Sequence, residues 1–271
     1  MRRKYKPPYS NGGGFKPYLS ALAKRRNILT VKVKVAFDGT DFCGSQVQPG
    51  LRTVFGEFQK ALTLVVNDAA EIKGCSRLDS GVHAKCFYFS FKTEKQLDLR
   101  KFPLGLNANL PKDIRVIEAS EESEDFHARY SAKGKEYTYY IKNNHIDDPF
   151  TSKYYYKFPQ KLDVEAMNKA AQYYVGTHDF RSFMARWSKI IDCHRTVYSA
   201  EVAQQGDMVI FKVRADGYLY NMVRIMVGTL IWAGTGKIKP EQVADIIQAR
   251  HRSKAGVTVP PEGLFLTDVF Y

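Results

Sequence analysis

No acidic residue precedes Asp38. Cysteine is scarce as well: Cys43, Cys75, Cys86 and Cys193 show no C-x2-C pair, which argues against a zinc site and against the disulfide framework of a small secreted domain. Four reduced thiols in an intracellular protein are expected. Hydrophobic runs long enough to cross a bilayer are missing too. The best candidate, Tyr218 to Ala233, is short and carries Asn221 and Arg224, so it reads as a buried helix rather than a membrane span. The glycines Gly12–Gly14 have no strand before them and no Lys-Ser/Thr after them, which sets aside a phosphate-binding NTPase and a nucleotide cofactor.

What is present is positive charge. Against 28 Asp and Glu stand 41 Lys and Arg, a net charge of +13 over 271 residues, and this excess favours a polyanionic partner. Residues 1–27 concentrate it in RRKYK and AKRR among Pro and Gly, a composition that cannot bury enough to fold alone. They are expected to form a flexible basic arm, either an RNA-contacting tail or an idle extension. The arm has no apolar signal region, and Pro7-Pro8 and Gly12–Gly14 spoil an amphipathic transit helix. Cytoplasmic residence is expected, with an organelle left open.

Beyond the arm the pattern mixes strands and helices. TVKVKVAF alternates with period two, with Val31, Val33 and Val35 inward. Thr53 can cap a helix whose stripe is Phe55, Phe58, Leu62, Val65 and Val66 and which ends near Asn67. CFYFSFK is a strand with Phe87, Phe89 and Phe91 on one face; a helix before LNANLP and a strand through Ile114–Val116 follow. KEYTYYIK and MVIFKVRA are strands, Asp163 caps a helix closing at Gly176, and a long helix starts near Tyr220. Pro240 suits the first turn of a helix ending near Arg252, and GLFLTDVFY closes as a strand. The order suggests an arm of 1–27 and two related α+β halves, 28–130 and 131–271, with a cleft between them.

Chemistry concentrates in CSRLDSGVHAK, Cys75 to Lys85. Asp, Ser and Gly in succession form turns, so Asp79 should sit at a bend with its carboxylate projecting. With Arg77 two residues away the carboxylate is expected to stay ionised and able to act as a nucleophile. A loop aspartate that merely satisfies backbone N–H groups has the same local sequence. His83 reads as a hydrogen-bonded structural histidine.

SRLDSGVHA resembles the GRTDAGVHA signature of the TruA family of pseudouridine synthases. Further blocks resemble the family in its order: FDGTDFCGSQVQ, LNANLPKDIRV, DFHARYSAKGKEYTYYI, VGTHDFRSF, DGYLYNMVRIMVGTL and PEGLFL. Together they cover nearly everything from about residue 30 onward. The resemblance implies the pseudouridine synthase fold, with a mostly antiparallel sheet, and cofactor-free isomerisation of uridine, most typically in the anticodon stem-loop of tRNA. It implies a homodimer with tRNA lying across both subunits. Asp79 matches the family nucleophile, and Arg77, Tyr137, Arg224 and Leu264 match residues that surround the target base, Arg224 pairing with the nucleophile. The segments Phe126, His127, Ala128, Arg129, Tyr130 and Trp187, Ser188, Lys189, Ile190, Ile191 match stretches that touch tRNA; the first interleaves aromatics with cations as RNA stacking requires.

Four positions depart from the family pattern: Ser45 stands for a tryptophan, Phe55 for a glutamine, Leu78 for a threonine and Ser80 for an alanine. Ser80 can supply part of the loop hydrogen bonding that Leu78 lacks. An active tRNA synthase is the first expectation. The alternatives are a synthase acting on rRNA, or a structural RNA-binding protein with weakened chemistry.

Overall fold

The computed structural model describes residues 28–271 except 69 and 187–189. The basic arm and the expected RNA contacts Trp187, Ser188 and Lys189 lie outside the described residues.

The alternating run forms β1 (Leu29–Phe37), with Val31, Val33 and Val35 fully buried. Thr53 caps α1 (Val54–Val66) through a bond from Gly56 N to its Oγ1, and Asn67 closes the helix in the left-handed region that asparagine tolerates. After the two-residue β2 (Lys73–Gly74) comes β3 (His83–Thr93), whose phenylalanines pack against α1; the Phe58 and Phe89 rings stack 4.1 Å apart. α2 (Phe102–Asn109) takes in the Leu106–Asn109 stretch as its last turn, so LNANLP ends a helix instead of following one. β4 (Ile114–Glu122) completes this part.

The rest contains β5 (Gly134–Lys142), β6 (Tyr156–Lys157), α3 (Val164–Gln172), β7 (Gly176–Asp179) and β8 (His194–Gln205). It continues with β9 (Met208–Ala215), α4 (Met222–Gly234), α5 (Gln242–Ala249) and β10 (Leu264–Phe270). Two boundaries differ from expectation. The helix capped by Asp163 stops at Gln172, and Gly176 starts a strand. The helix after Pro240 stops at Ala249, where Arg250 turns left-handed.

Among the described residues one mixed α+β sheet of ten strands runs β4-β1-β3-β10-β5-β9-β8-β7, with β2 and β6 off the path. It is antiparallel except at β3/β10 and β5/β6. The β3/β10 contact is short, Phe265 opposite His83 and Leu266 opposite Ala84, and it is where the two parts of the chain join. Strands from both sides end there, and their loops open onto one cleft. No helix among the described residues is long and apolar enough to cross a membrane. The four cysteines are free.

Candidate active site

Asp79 lies just before β3 on a tight turn closed by Val82 N–H donating to Asp79 O at 3.2 Å. Gly81, at the third position, has φ of +77°, which a side chain would strain, so this turn requires its glycine. The neighbouring loop presses in so closely that a Cβ on Gly39 would stand 2.0 Å from Val82 O. Three further bonds tie the two loops together. Ser45 N donates to Leu78 O at 3.0 Å, Gly81 N to Phe42 O at 3.3 Å, and Ser80 Oγ to Phe42 O at 3.1 Å.

Ser45 makes the shortest of the bonds to the turn. Its hydroxyl is 1 % exposed as a residue and accepts the Leu78 N–H at 2.8 Å, immediately before Asp79. Leu78 itself points into the core, 7 % exposed. The hydroxyl that steadies this turn thus comes from a loop 33 residues away, and the Ser80 hydroxyl bonds back to that loop rather than within its own turn. Ser45→Ala leaves the Leu78 N–H buried without an acceptor. It should cost about 1–3 kcal/mol of stability, read as a lower urea midpoint at unchanged m-value, and slow turnover by loosening Asp79.

The cation facing Asp79 is Arg224, not Arg77. Arg224 stands in the first turn of α4, its side chain 15 % exposed among apolar neighbours. Its Nη1 approaches Asp79 Oδ2 at 3.3 Å and donates to Asn221 Oδ1 at 3.0 Å, and its Nε donates to Val259 O at 2.8 Å. Three partners fix the guanidinium, as a buried charge requires. Burial pushes the Asp79 carboxyl above its usual range, while the charge and hydrogen bond of Arg224 pull it back; the net direction is upward. The cation that favours the ionised carboxylate here is thus Arg224, while burial opposes it. Arg77 is exposed on the cleft wall and has no hydrogen-bond or ion-pair partner among the described residues.

Tyr137 in β5 lines the same cleft, only 6 % exposed. Its hydroxyl bonds Ser76 Oγ at 3.2 Å, and Tyr218 meets its ring edge-on at 4.8 Å. Tyr218 is itself anchored, donating to Lys135 O at 3.0 Å and Val213 O at 2.9 Å. Burial raises the Tyr137 phenol pKa, so this hydroxyl stays protonated. Leu264 opens β10 and adds an apolar wall.

The expected RNA segments divide. Arg129 and Tyr130 are exposed and face the cleft. Ala128 is fully buried, its N–H donating to Ser90 Oγ at 3.0 Å, and Phe126 packs on Tyr271 at 5.1 Å. These two side chains build the platform. His127 Nδ1 accepts the backbone N–H groups of Arg129 and Tyr130, at 3.0 and 3.3 Å, and holds their turn. Ile190 reaches the cleft rim, and Ile191 is 90 % exposed. His83 is structural: its Nδ1 accepts Gly39 N–H at 3.0 Å and its Nε2 bonds Lys153 O at 3.1 Å. Burial lowers its pKa, so the imidazole is neutral and the 3.2 Å approach of Asp38 to Nδ1 is not an ion pair.

The cleft has a volume of about 1090 Å³, roughly the upper end of small-molecule sites. Arg77, Arg129, Lys135 and Arg195 line it, against only Asp79 and Asp216. Sequence reasoning missed Ser45, Ser76, Lys135, Tyr218 and Asn221 as parts of it. Lys135 was within reach, since on a strand it shares a face with Tyr137 two residues on; Ser45 was marked only as standing in place of a tryptophan, not as a hydrogen-bonding partner of the turn.

A carboxylate held on a rigid turn, a fixed arginine against it, a buried tyrosine and a cationic wall define a site for chemistry on a polyanion. The comparisons with known proteins agree. The chain matches the family described as "tRNA pseudouridine synthase" over residues 33–131 and 170–271. It is 42 % identical over 246 residues, 91 % of this chain and 100 % of the relative, to a protein of Thermoanaerobacter sp. named tRNA pseudouridine synthase A. A protein of that name from Bacillus pumilus is 43 % identical over 245 residues, 90 % of this chain and 99 % of that one. The chain belongs to the tRNA pseudouridine synthase family. A structure of a Cbf5-Nop10-Gar1 complex overlaps it with a TM-score of 0.36 at 12 % identity, covering 87 % of this chain and 57 % of that one, a likeness that adds nothing to the assignment.

Proposed function

We propose that this protein isomerises uridine to pseudouridine in the anticodon stem-loop of tRNA, with Asp79 as the nucleophile. The observation that carries the reading is the Asp79–Arg224 pair at 3.3 Å, beside a cleft whose cations Arg77, Arg129, Lys135 and Arg195 have no carboxylate partner among the described residues. The reaction breaks the C1′–N1 bond and forms C1′–C5; the hydrogen on C5 is lost and N1 gains one. Asp79 attacks C1′ or the base, or promotes elimination at the sugar; each route requires an ionised carboxylate, which Arg224 favours. Tyr137 stacks on the flipped base and Leu264 packs beside it. Arg77, without a partner among the described residues, fills the space that the base vacates or holds phosphate; flipping costs a few kcal/mol. Arg129, Tyr130 and Ile190 contact the RNA along the cleft wall and rim.

The protein is read as a cytoplasmic homodimer with RNA across both subunits, residues 28–130 and 131–271 forming its two halves. The close relatives' shared enzymatic name disfavours the rRNA-directed and inactive alternatives. The arm of 1–27 is assigned to RNA contact. Its removal should weaken tRNA binding and flatten the salt dependence, measured by filter binding across a potassium chloride series; an unchanged slope makes it an idle extension. Mapping pseudouridine in total RNA from cells with and without the gene tests the substrate, which is wrong if every anticodon-stem site persists in the deletion.

A further inference from the structure

Lys135 is a cation of the cleft wall. It lies two residues before Tyr137 on β5, so both side chains leave the same face of the strand, and both line the cleft. Its side chain is half-buried, yet among the described residues its ammonium has no hydrogen bond and no ion pair. Other half-buried strand lysines have carboxylate partners: Lys32 meets Glu122, and Lys142 meets Asp207. A half-buried ammonium without a counter-charge is costly, and the cost is relieved when an anion arrives.

The surroundings offer no substitute anion. Of the two carboxylates in the cleft, Asp79 is engaged by Arg224, and Asp216 Oδ1 accepts the Thr196 N–H at 3.1 Å. The Cys75 thiol near Lys135 is pushed up to about 12 by burial and stays neutral. Burial lowers the Lys135 pKa, and the charge of Arg129 adds to the effect, so two neighbouring cations lack a common partner. Arg129 has no carboxylate partner among the described residues; its guanidinium lies 5.8 Å from the Tyr130 ring centroid.

We propose that Lys135 and Arg129 form a binding site for one backbone phosphodiester of the RNA, adjacent to the nucleotide that enters the cleft beside Tyr137. A phosphodiester carries one full negative charge and no proton at neutral pH, so it satisfies both cations without a titration step. The ammonium acts as a point charge on a flexible stem, while the guanidinium can offer two parallel donors. The phosphate so held fixes the reach of the target nucleotide into the cleft. This inference rests on the RNA-modifying reading given above.

The test is tRNA binding by Lys135→Met across a potassium chloride series, with Lys135→Arg as the charge-preserving control. Lys135→Met should raise Kd roughly three- to tenfold at low salt and reduce the log–log salt slope by about 0.7–0.9, the effect of one phosphate contact; Lys135→Arg should keep the parent slope. A scan of single methylphosphonate linkages around the target uridine then locates the contact. At one position the neutral linkage should weaken the parent protein markedly and Lys135→Met by less, since Arg129 alone then remains on that phosphate. An unchanged salt slope in Lys135→Met, or equal methylphosphonate penalties in parent and variant at every position, would overturn the proposal. So would loss of turnover at saturating tRNA with unchanged Kd, which would put Lys135 in the chemistry. If Lys135→Met does not fold, the methylphosphonate scan on the parent and Lys135→Arg still decides: no sensitive linkage beside the target refutes the site. Turnover by the parent on the same tRNA is measured alongside, so a failure of the phosphate site is distinguishable from a failure of the functional reading.

Discussion

Asp79→Asn is expected to abolish isomerisation, by on the order of 10³-fold or more, while tRNA affinity stays within a few-fold of the parent. The two readouts separate because they rest on different residues. Affinity comes from Arg77, Arg129, Lys135, Arg195 and the basic excess of the whole chain. Asp79, 24 % exposed and facing Arg224, adds negative charge to that surface and so contributes nothing attractive to phosphate. An asparagine has the same shape and can keep an acceptor toward Arg224, so the turn should survive. Full turnover by Asp79→Asn would remove the nucleophile assignment. Equal loss of binding and turnover would make Asp79 an architectural residue.

Removing Arg224 should have the second largest effect, and a different signature. Burial already pushes the Asp79 carboxyl upward, and the arginine opposes that push. Arg224→Gln keeps hydrogen-bonding capacity toward Val259 and Asn221 but removes the charge, so the Asp79 pKa rises further. The reactive form is the carboxylate, present above that pKa, so the acid limb of the pH–rate profile moves to higher pH. Near neutrality turnover should fall by roughly 10²-fold or more, the scale of losing one fixed charged donor in a closed site, with partial recovery in alkaline buffer. Arg224→Lys retains the charge and should keep the acid limb closer to that of the parent, though it loses the Nε bond to Val259 O. A pH profile of Arg224→Gln that falls uniformly without moving its acid limb would show that the arginine serves only packing.

The elements that sequence revealed are those with clean periodicity. β1 alternates without interruption, and Thr53 and Asp163 cap their helices through their side chains. β8 escaped, although it is twelve residues long. Its inward residues are Val197, Ala200 and Val202, small and unevenly spaced, because a register shift between Val197 and Ser199 breaks the period of two. The site divides in the same way. The resemblance placed Asp79, Tyr137 and Leu264 on one cleft and Arg224 against the nucleophile, a pairing of residues 145 positions apart that local patterning cannot supply. Local reasoning chose Arg77 as the charge partner because it is near in sequence, and the turn directs it elsewhere. Ser45 was legible only as a missing aromatic. Its hydrogen bond to Leu78 depends on how closely the 38–48 loop packs on the turn, a tertiary property with no sequence period.

The most direct measurement is tritium release from tRNA labelled at C5 of uridine, incubated with the purified protein. Joining C5 to C1′ expels the C5 hydrogen to water, so each isomerised uridine releases one label. The parent should release label to a plateau of a small whole number of uridines per tRNA, those of the anticodon stem-loop, and Asp79→Asn none while still binding the RNA. A parent protein that binds the labelled tRNA and releases no tritium, or an Asp79→Asn variant that releases it at the parent rate, would contradict the account.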